Sequence, residues 1–133
     1  MDAKELRDRL KVVLEGFIGT YRFPNGQETQ AIAIDYNATY PPPGTVIEGL
    51  EVVIIPRSFL GISGLLGSKL ATYQTDVLLK QWDSRDDTFC ATDLIIGSIP
   101  ELLNVGPRVI PNGELQNIEQ IRLTFQSQET RPY

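Results

Sequence analysis

The stretch Leu50-Glu51-Val52-Val53-Ile54-Ile55-Pro56 decides the fold of this 133-residue chain. It is β-branched and almost continuously apolar, which is typical of a strand covered on both faces, and its proline ends it. A longer strand is predicted at residues 70–82, where apolar and polar residues alternate. The same alternation predicts a closing, half-buried antiparallel strand at residues 116–126, and a short extended segment is predicted at 105–110.

Two helices are predicted to flank these strands. Residues 2–15 place apolar side chains at helical spacing and charged side chains on the other face, and Asp2 is a candidate N-cap. The second helix is predicted at residues 88–99, with these candidates for the core: Phe89, Ala91, Leu94, Ile95 and Ile99. Strands clustered between two helices predict an α+β fold, a mostly antiparallel sheet with both helices packed on one face.

Turn and proline-rich segments separate the predicted elements. Phe23-Pro24-Asn25-Gly26 is a turn signal between two extended segments. Tyr40-Pro41-Pro42-Pro43-Gly44 must be extended and cannot join the middle of a sheet; it is either a rigid crossover between strands or a ligand for an aromatic groove. The chain length fits one domain, which we place at residues 1–126, followed by a flexible C-terminal tail at 127–133.

Residues 57–69 form an unusual segment, with three glycines among large apolar residues and little charge. Glycine at that density opposes both helix and strand, yet such apolar side chains are poorly suited to a solvated loop. Two interpretations stay open: a loop folded back on its own core, or apolar surface that a partner covers. The second makes five residues candidates for a partner interface: Phe59, Leu60, Ile62, Leu65 and Leu66.

The charge balance limits the classes of function. Twelve Lys and Arg against 17 Asp and Glu give a formal net charge of -5, which argues against a protein that grips nucleic acid. The lone cysteine excludes an internal disulfide and favours a reducing compartment. The charged N-terminus has no signal-peptide pattern, and no run approaches the roughly 18 apolar residues of a membrane span. We therefore expect a soluble protein made inside the cell, with no membrane partner.

The near-motifs for chemistry are all incomplete. Gly61-Ile62-Ser63-Gly64 lacks the spacing of a nucleophile elbow, and the chain has no histidine to activate a serine. Residues 64–69 end Gly-Ser-Lys, the wrong order for a phosphate-binding loop. Asp86 and Asp87 could act as acid and base, but adjacent acids before a helix are more often caps. We expect no catalytic residue, metal ligand or cofactor, and an assembly or interaction subunit rather than an enzyme.

Two segments and the order of the elements carry a family resemblance. Residues 73–87 read as a strand that ends in Trp82-Asp83 and leads directly into the second helix, and the closing strand contains Gln120-Ile121-Arg122-Leu123-Thr124-Phe125. In these features the chain resembles the tail-terminator, or tail-completion, proteins of long-tailed bacteriophages. The apolar segment at 57–69 and the turn at 24–26 depart from the family pattern.

The resemblance implies a structural role in the virion. A ring of identical subunits, usually a hexamer, would cap the head-proximal end of the tail tube, stop its polymerisation and dock the neck. The implied partners are other copies of the chain, the tail tube protein and the neck or head-closure protein, and DNA would pass through the channel without specific binding. Assembly would take place in the host cytoplasm. A head-closure or tube protein, and a stand-alone ligand-binding or regulatory domain, remain the alternatives.

Overall fold

The computed structural model describes residues 2–35, 41–65, 68–83, 87–106 and 119–132, with side-chain positions for all of these except 57–65, 68–71, 119 and 128–132. The elements, in chain order, are α1 (Ala3–Val13), β1 (Thr20–Arg22), β2 (Glu28–Gln30), β3 (Ile32–Ile34), β4 (Val46–Glu48), β5 (Leu50–Leu65), β6 (Ser68–Gln81), α2 (Asp87–Ser98), β7 (Leu102–Val105) and β8 (Glu119–Pro132). The described part of the chain contains two helices and eight strands. The strands form two sheets, in which most pairs are antiparallel. The predicted α+β class with two helices is therefore confirmed.

The main sheet has five strands in the order β3-β5-β6-β8-β7. β5, β6 and β8 pair antiparallel along almost their whole lengths, while β3 joins β5 in parallel. The small sheet has the order β2-β1-β4, and its β1–β2 hairpin turns at the predicted Pro24-Asn25-Gly26. Gly26 has a φ of 87°, the left-handed conformation that favours glycine in such a turn.

The core lies between one face of the main sheet and both helices. Asp2 caps α1 as predicted, since its side chain accepts a hydrogen bond from the backbone N of Glu5 at 2.8 Å. Alternate residues of the central strands face the helices, as the period of a strand requires. The buried members of this core are Ala3, Leu6, Leu10, Leu14, Ile32, Leu50, Val52, Ile54, Val77, Leu79, Ala91, Ile95, Ile99, Ile121, Leu123 and Phe125.

The small sheet covers part of the opposite face of the main sheet. Tyr21, Ala31 and Ala33 form a second buried cluster there, so β5 is buried on both faces beside it, as the sequence predicts. The two sheets approach closely at Gly19, whose N donates to the Leu50 carbonyl at 2.7 Å. A Cβ on Gly19 would lie 2.0 Å from the Glu48 carbonyl oxygen, so only glycine fits this approach.

The prediction that residues 57–69 form a loop is wrong. β5 continues to Leu65, β6 begins at Ser68, and the two strands pair as a hairpin with irregularities between Pro56 and Gly61. Backbone pairing with β6, which also pairs with β8, outweighs the poor strand propensity of glycine, and bulges accommodate the irregular register. Leu66 and Gly67 lie outside the described residues.

The C-terminal segment also differs from its prediction as a tail. β8 extends to Pro132, and every residue from Ser127 to Pro132 has a register partner in β6. β7 spans Leu102–Val105 and so overlaps the predicted extended segment at 105–110 at its first residue; residues 107–110 lie outside the described chain. We call residues 57–65, 68–73 and 127–132 the arm, because these three strand ends continue together past the core.

Candidate assembly site

The arm is the part of the main sheet that continues beyond the described members of the core. Ile54, Val77 and Phe125 are the members of the described core that lie nearest to the arm on β5, β6 and β8. The nine residues 57–65 extend β5 by roughly 30 Å at about 3.3 Å per residue. The strands stay paired along this length, with irregularities in the β5–β6 register between Pro56 and Gly61.

Four of the five predicted interface residues lie on one strand of the arm. In the backbone register, Phe59 is opposite Tyr73, Ile62 is opposite Ala71, and Leu65 is opposite Ser68. Leu60 falls in the irregularity between Phe59 and Gly61. The fifth, Leu66, lies outside the described residues. The backbone therefore brings together a short apolar sequence on a projecting hairpin.

The arm carries a charge opposite to that of the whole chain. It contains Arg57, Lys69 and Arg131 against Glu129, a formal charge of +2. The net charge of the chain is -5, so the residues outside the arm carry -7. This contrast favours contact between the arm and an acidic surface.

A second surface, on α2, was missed by sequence reasoning. Phe89, Leu94 and Ile96 are 51%, 38% and 56% exposed, although the first two were predicted in the core. We call the exposed side of this helix the outer face of α2; its residues are Phe89, Cys90, Asp93, Leu94, Ile96 and Gly97. An apolar helix face of this kind is typical of a surface that another molecule covers.

The position of each residue around the helix explains this correction. Ala91, Ile95 and Ile99 are buried, as predicted. Phe89 lies two positions before Ala91, which places it roughly 160° away around a helix that turns about 100° per residue. Ile96 is seven residues after Phe89 and returns to the same side. That seven-residue spacing places Phe89 and Ile96 on one side of the helix, but it does not say whether that side is buried.

Charge also distinguishes α2 from the arm. Asp87 and Asp93 are the charged residues of the helix Asp87–Ser98, which gives it a formal charge of -2. Asp93 is exposed on the outer face, among the apolar side chains. The outer face of α2 is thus apolar and acidic, while the arm has an apolar and basic sequence.

A cleft lies at the edge of the main sheet beside β7. Its volume is about 610 Å³, and its lining residues are Arg9, Pro100, Glu101, Leu102, Leu103, Gln126 and Ser127. Arg9 Nη1 donates to Glu101 Oε2 at 2.5 Å, which ties α1 to the turn before β7. Leu103 sits at the irregularity of β7 and is 60% exposed. The cleft joins a charged pair to an exposed apolar edge.

Two buried carboxylates belong to the framework of the sheets. Glu51 is 2% exposed and accepts hydrogen bonds from the Tyr21 hydroxyl and from Trp82 Nε1, the latter at 3.0 Å. Asp76 is 3% exposed and accepts from Arg122 Nη1 at 3.1 Å. These contacts tie strands together, and buried charges need such partners. They account for the burial of two charged residues within the sheets.

An ion pair on the small sheet shifts the pKa of an arginine. A hydrogen bond to Glu28, together with the charges of Glu48 and Glu28, raises the pKa of Arg22 above its usual value on the small sheet. Among the described residues, no group of three or more His, Cys, Asp and Glu side chains is placed to hold a metal ion. Among those same residues, no helix has the length and apolar character needed to cross a membrane.

No protein-family model matches the chain, and no curated protein matches it significantly.

Proposed function

We propose that the chain is a structural subunit of a bacteriophage tail or neck ring. The ring caps the head-proximal end of the tail tube, stops polymerisation of the tube and joins it to the neck. Its partners are further copies of the chain, the tail tube protein and the neck or head-closure protein, and it acts in the virion without catalysis. The family resemblance supplies the identity of the ring, and the surfaces described above support self-assembly.

The resemblance rests on the junction between β6 and α2. β6 ends at Gln81, Trp82 follows, and α2 begins at Asp87, which is the order that the resemblance implies. The Trp82 backbone N donates to the Gly49 carbonyl at 2.9 Å, so the junction is tied to the start of β5.

The observation that carries the proposal is the exposed apolar outer face of α2, on a chain that also bears an apolar arm. The two surfaces are different parts of one subunit, and their charges are opposite. A contact between unlike surfaces of identical subunits is head-to-tail, and it generates a ring when the rotation closes. A symmetric dimer would instead use one surface twice.

The acidic character of the subunit agrees with a DNA channel. The chain carries a net charge of -5, and the residues outside the arm carry more negative charge than that. A channel lined with acidic residues repels the phosphate backbone, so DNA slides through without being held.

Light scattering and negative-stain electron microscopy test the proposal. The purified chain is measured alone and after mixing with tail tube subunits, and we expect closed rings in at least one of these states. In a tube-polymerisation assay, addition of the chain should shorten the tubes, with a ring at one end of each. A chain that stays monomeric in both states, and leaves tube length unchanged, would contradict the proposal.

The same assay separates the neighbouring assignments. A head-closure protein would bind the neck and leave tube length unchanged, whereas a tube protein would polymerise by itself into long tubes. Capping without self-polymerisation supports the terminator assignment over both.

The cleft beside β7 favours one other candidate, a stand-alone ligand-binding or regulatory domain. Its charged pair, Arg9 and Glu101, and its apolar wall are elements of a small-molecule site. Screening a small-molecule library by thermal shift tests this alternative. Saturable stabilisation that Arg9→Ala removes, in a chain that forms no ring, would favour a ligand-binding domain.

A further inference from the structure

We infer that the arm of one copy lies across the outer face of α2 of a second copy. The inference rests on the proposed ring-forming function and adds to it the two surfaces that meet. The occupant of the α2 face is a second copy of this chain. Its arm supplies apolar residues to match those of the face and positive charge to match the acidic residues of α2.

The outer face of α2 needs a cover that is mainly apolar. Phe89 and Ile96 are each more than half exposed, and Leu94 lies beside them. Burial of large apolar side chains is the main driving force of association. The arm contains four of the five residues predicted as an interface: Phe59, Leu60, Ile62 and Leu65.

Opposite charge favours the arm as the partner of the outer face of α2. The arm has a formal charge of +2, and α2 has a formal charge of -2. α1 carries the same formal charge of +2, but its apolar residues Leu6 and Leu10 are already buried in its own core, so it offers the α2 face little apolar surface. Opposite charges at the edge of an apolar contact fix its partner and its orientation.

The positions of the arm and of the outer face of α2 within one subunit favour a contact between two copies. Ala91 and Ile95 face the main sheet, so Phe89 and Ile96 face away from it. The arm continues that same sheet beyond the core. The arm is therefore paired as part of the sheet on which α2 packs, whereas the outer face of α2 is directed away from that sheet. The reach also fits, because twelve residues of α2 span roughly 18 Å and the arm projects about 30 Å.

The single cysteine of the chain provides the test. Cys90 is exposed on the outer face of α2. Three serines of the arm are changed to cysteine one at a time: Ser58→Cys, Ser63→Cys and Ser68→Cys. The assembled protein is oxidised mildly and run on a non-reducing gel. We expect at least one variant to give a ladder of multimers, since each subunit then carries one cysteine on each of the two contacting surfaces.

Two controls test whether the ladder reports contact between the arm and Cys90. In a Cys90→Ser background, the same arm variant can form only arm-to-arm dimers, so the ladder should disappear. Thr29→Cys places a cysteine on the exposed strand β2 of the small sheet, which covers the face opposite the helices. It should form no ladder with Cys90 under the same conditions.

The unmodified chain offers a second measurement that does not depend on a variant folding. Cys90 should react with a maleimide dye about tenfold more slowly in the assembled protein than in the dispersed protein, because thiol reactivity depends on access. In the Cys90→Ser background, the control cysteine at position 29 should react at the same rate in both states.

The outcomes separate this inference from the proposed function. Rings that form without any ladder, and with Cys90 equally reactive in both states, would overturn the contact between arm and α2 and leave the ring proposal standing. Cross-links from Cys90 to tube subunits alone would show that another protein occupies the face and would also overturn the inference. A chain that never assembles would refute the proposed function itself.

Discussion

Trp82 Nε1 donates a hydrogen bond to Oε1 of the buried carboxylate of Glu51, at 3.0 Å. The Tyr21 hydroxyl donates to the other oxygen of this carboxylate. Trp82 follows β6, Glu51 lies on β5, and Tyr21 lies on the small sheet. One carboxylate thus joins the central strands of the main sheet to the small sheet on its second face.

Replacing Trp82 with phenylalanine should destabilise the fold. Trp82→Phe retains an aromatic ring but removes the indole donor to Glu51, which is 2% exposed. Loss of a hydrogen bond to a buried charged group costs about 1–3 kcal/mol. For a domain of this size the melting temperature should fall by roughly 4–10 °C, as measured by calorimetry.

A double-mutant cycle checks that the carboxylate causes this loss. Tyr21→Phe removes the other donor, and the effects of the two substitutions should deviate from additivity by about 0.5 kcal/mol or more, because both act on one group. Asp93→Asn, on an exposed residue, should leave the melting temperature unchanged. A Trp82→Phe variant as stable as the native chain would rule out a structural role for this contact.

A pair of glycine substitutions should have opposite effects. In Gly19→Ala the new Cβ would lie 2.0 Å from the Glu48 carbonyl oxygen and 2.8 Å from the Leu50 nitrogen, both of which are backbone atoms. The backbone at Gly19 would have to move away from the segment 48–50, so we expect a loss of about 3 kcal/mol or more, or failure to fold. Urea unfolding measures the loss.

Gly97→Ala is the matched control on α2. Its Cβ would meet nothing within 4 Å, and alanine favours the helix over glycine by about 1 kcal/mol. The midpoint of urea unfolding should therefore rise. Equal effects of the two substitutions would show that close approach at Gly19 does not limit the fold.

The elements that were predicted correctly are those whose buried sides can be identified from the pattern of apolar residues in their own sequence. The nearly continuous apolar run at 50–55 predicts a strand that is buried on both faces. In the structure, the helices pack on one face and the small sheet packs on the other. The stripe of apolar residues in α1 identifies its buried side, because the opposite side is charged. In both cases the residues of the element itself contain the information.

The features that were missed depend on distant or ambiguous contacts. Strand formation at 57–65 is supported by pairing with β6, which in turn pairs Ser68 with Pro132, far away in sequence. Local glycine content predicts the opposite. In α2, apolar residues occur all round the helix, so periodicity alone could not decide whether Phe89 or Ala91 faces the core.

The start of α2 should depend on the side chain of Gln81. Its Oε1 accepts from the backbone N of Asp87 at 3.1 Å, and its Nε2 donates to Asp83 Oδ1 at 2.6 Å. Gln81→Ala removes a partner from the first turn of the helix and should cost about 1 kcal/mol. Gln81→Glu keeps an acceptor but places a third carboxylate beside Asp83 and Asp87, so thermal unfolding should show that it does not restore the native melting temperature.

Adjacent isoleucines on α2 should separate folding from assembly. Ile95 is 0% exposed and Ile96 is 56% exposed, so neighbouring residues of the same type face the core and the outer surface. Ile95→Ala should cost about 2–5 kcal/mol of stability. Ile96→Ala should change stability by less than about 0.5 kcal/mol, as measured by urea unfolding.

Assembly should depend on the two isoleucines in the reverse order, strongly on Ile96 and little on Ile95. Ile96→Lys places a charge in the proposed contact and should weaken assembly at least about tenfold in light scattering, since a buried apolar anchor contributes strongly to binding. Ile95→Ala, measured at a temperature where it stays folded, should assemble almost normally, because its side chain does not reach the outer face. If Ile96→Lys assembled as well as the native chain, the outer face of α2 would have no part in holding copies together, and its apolar side chains would need another partner.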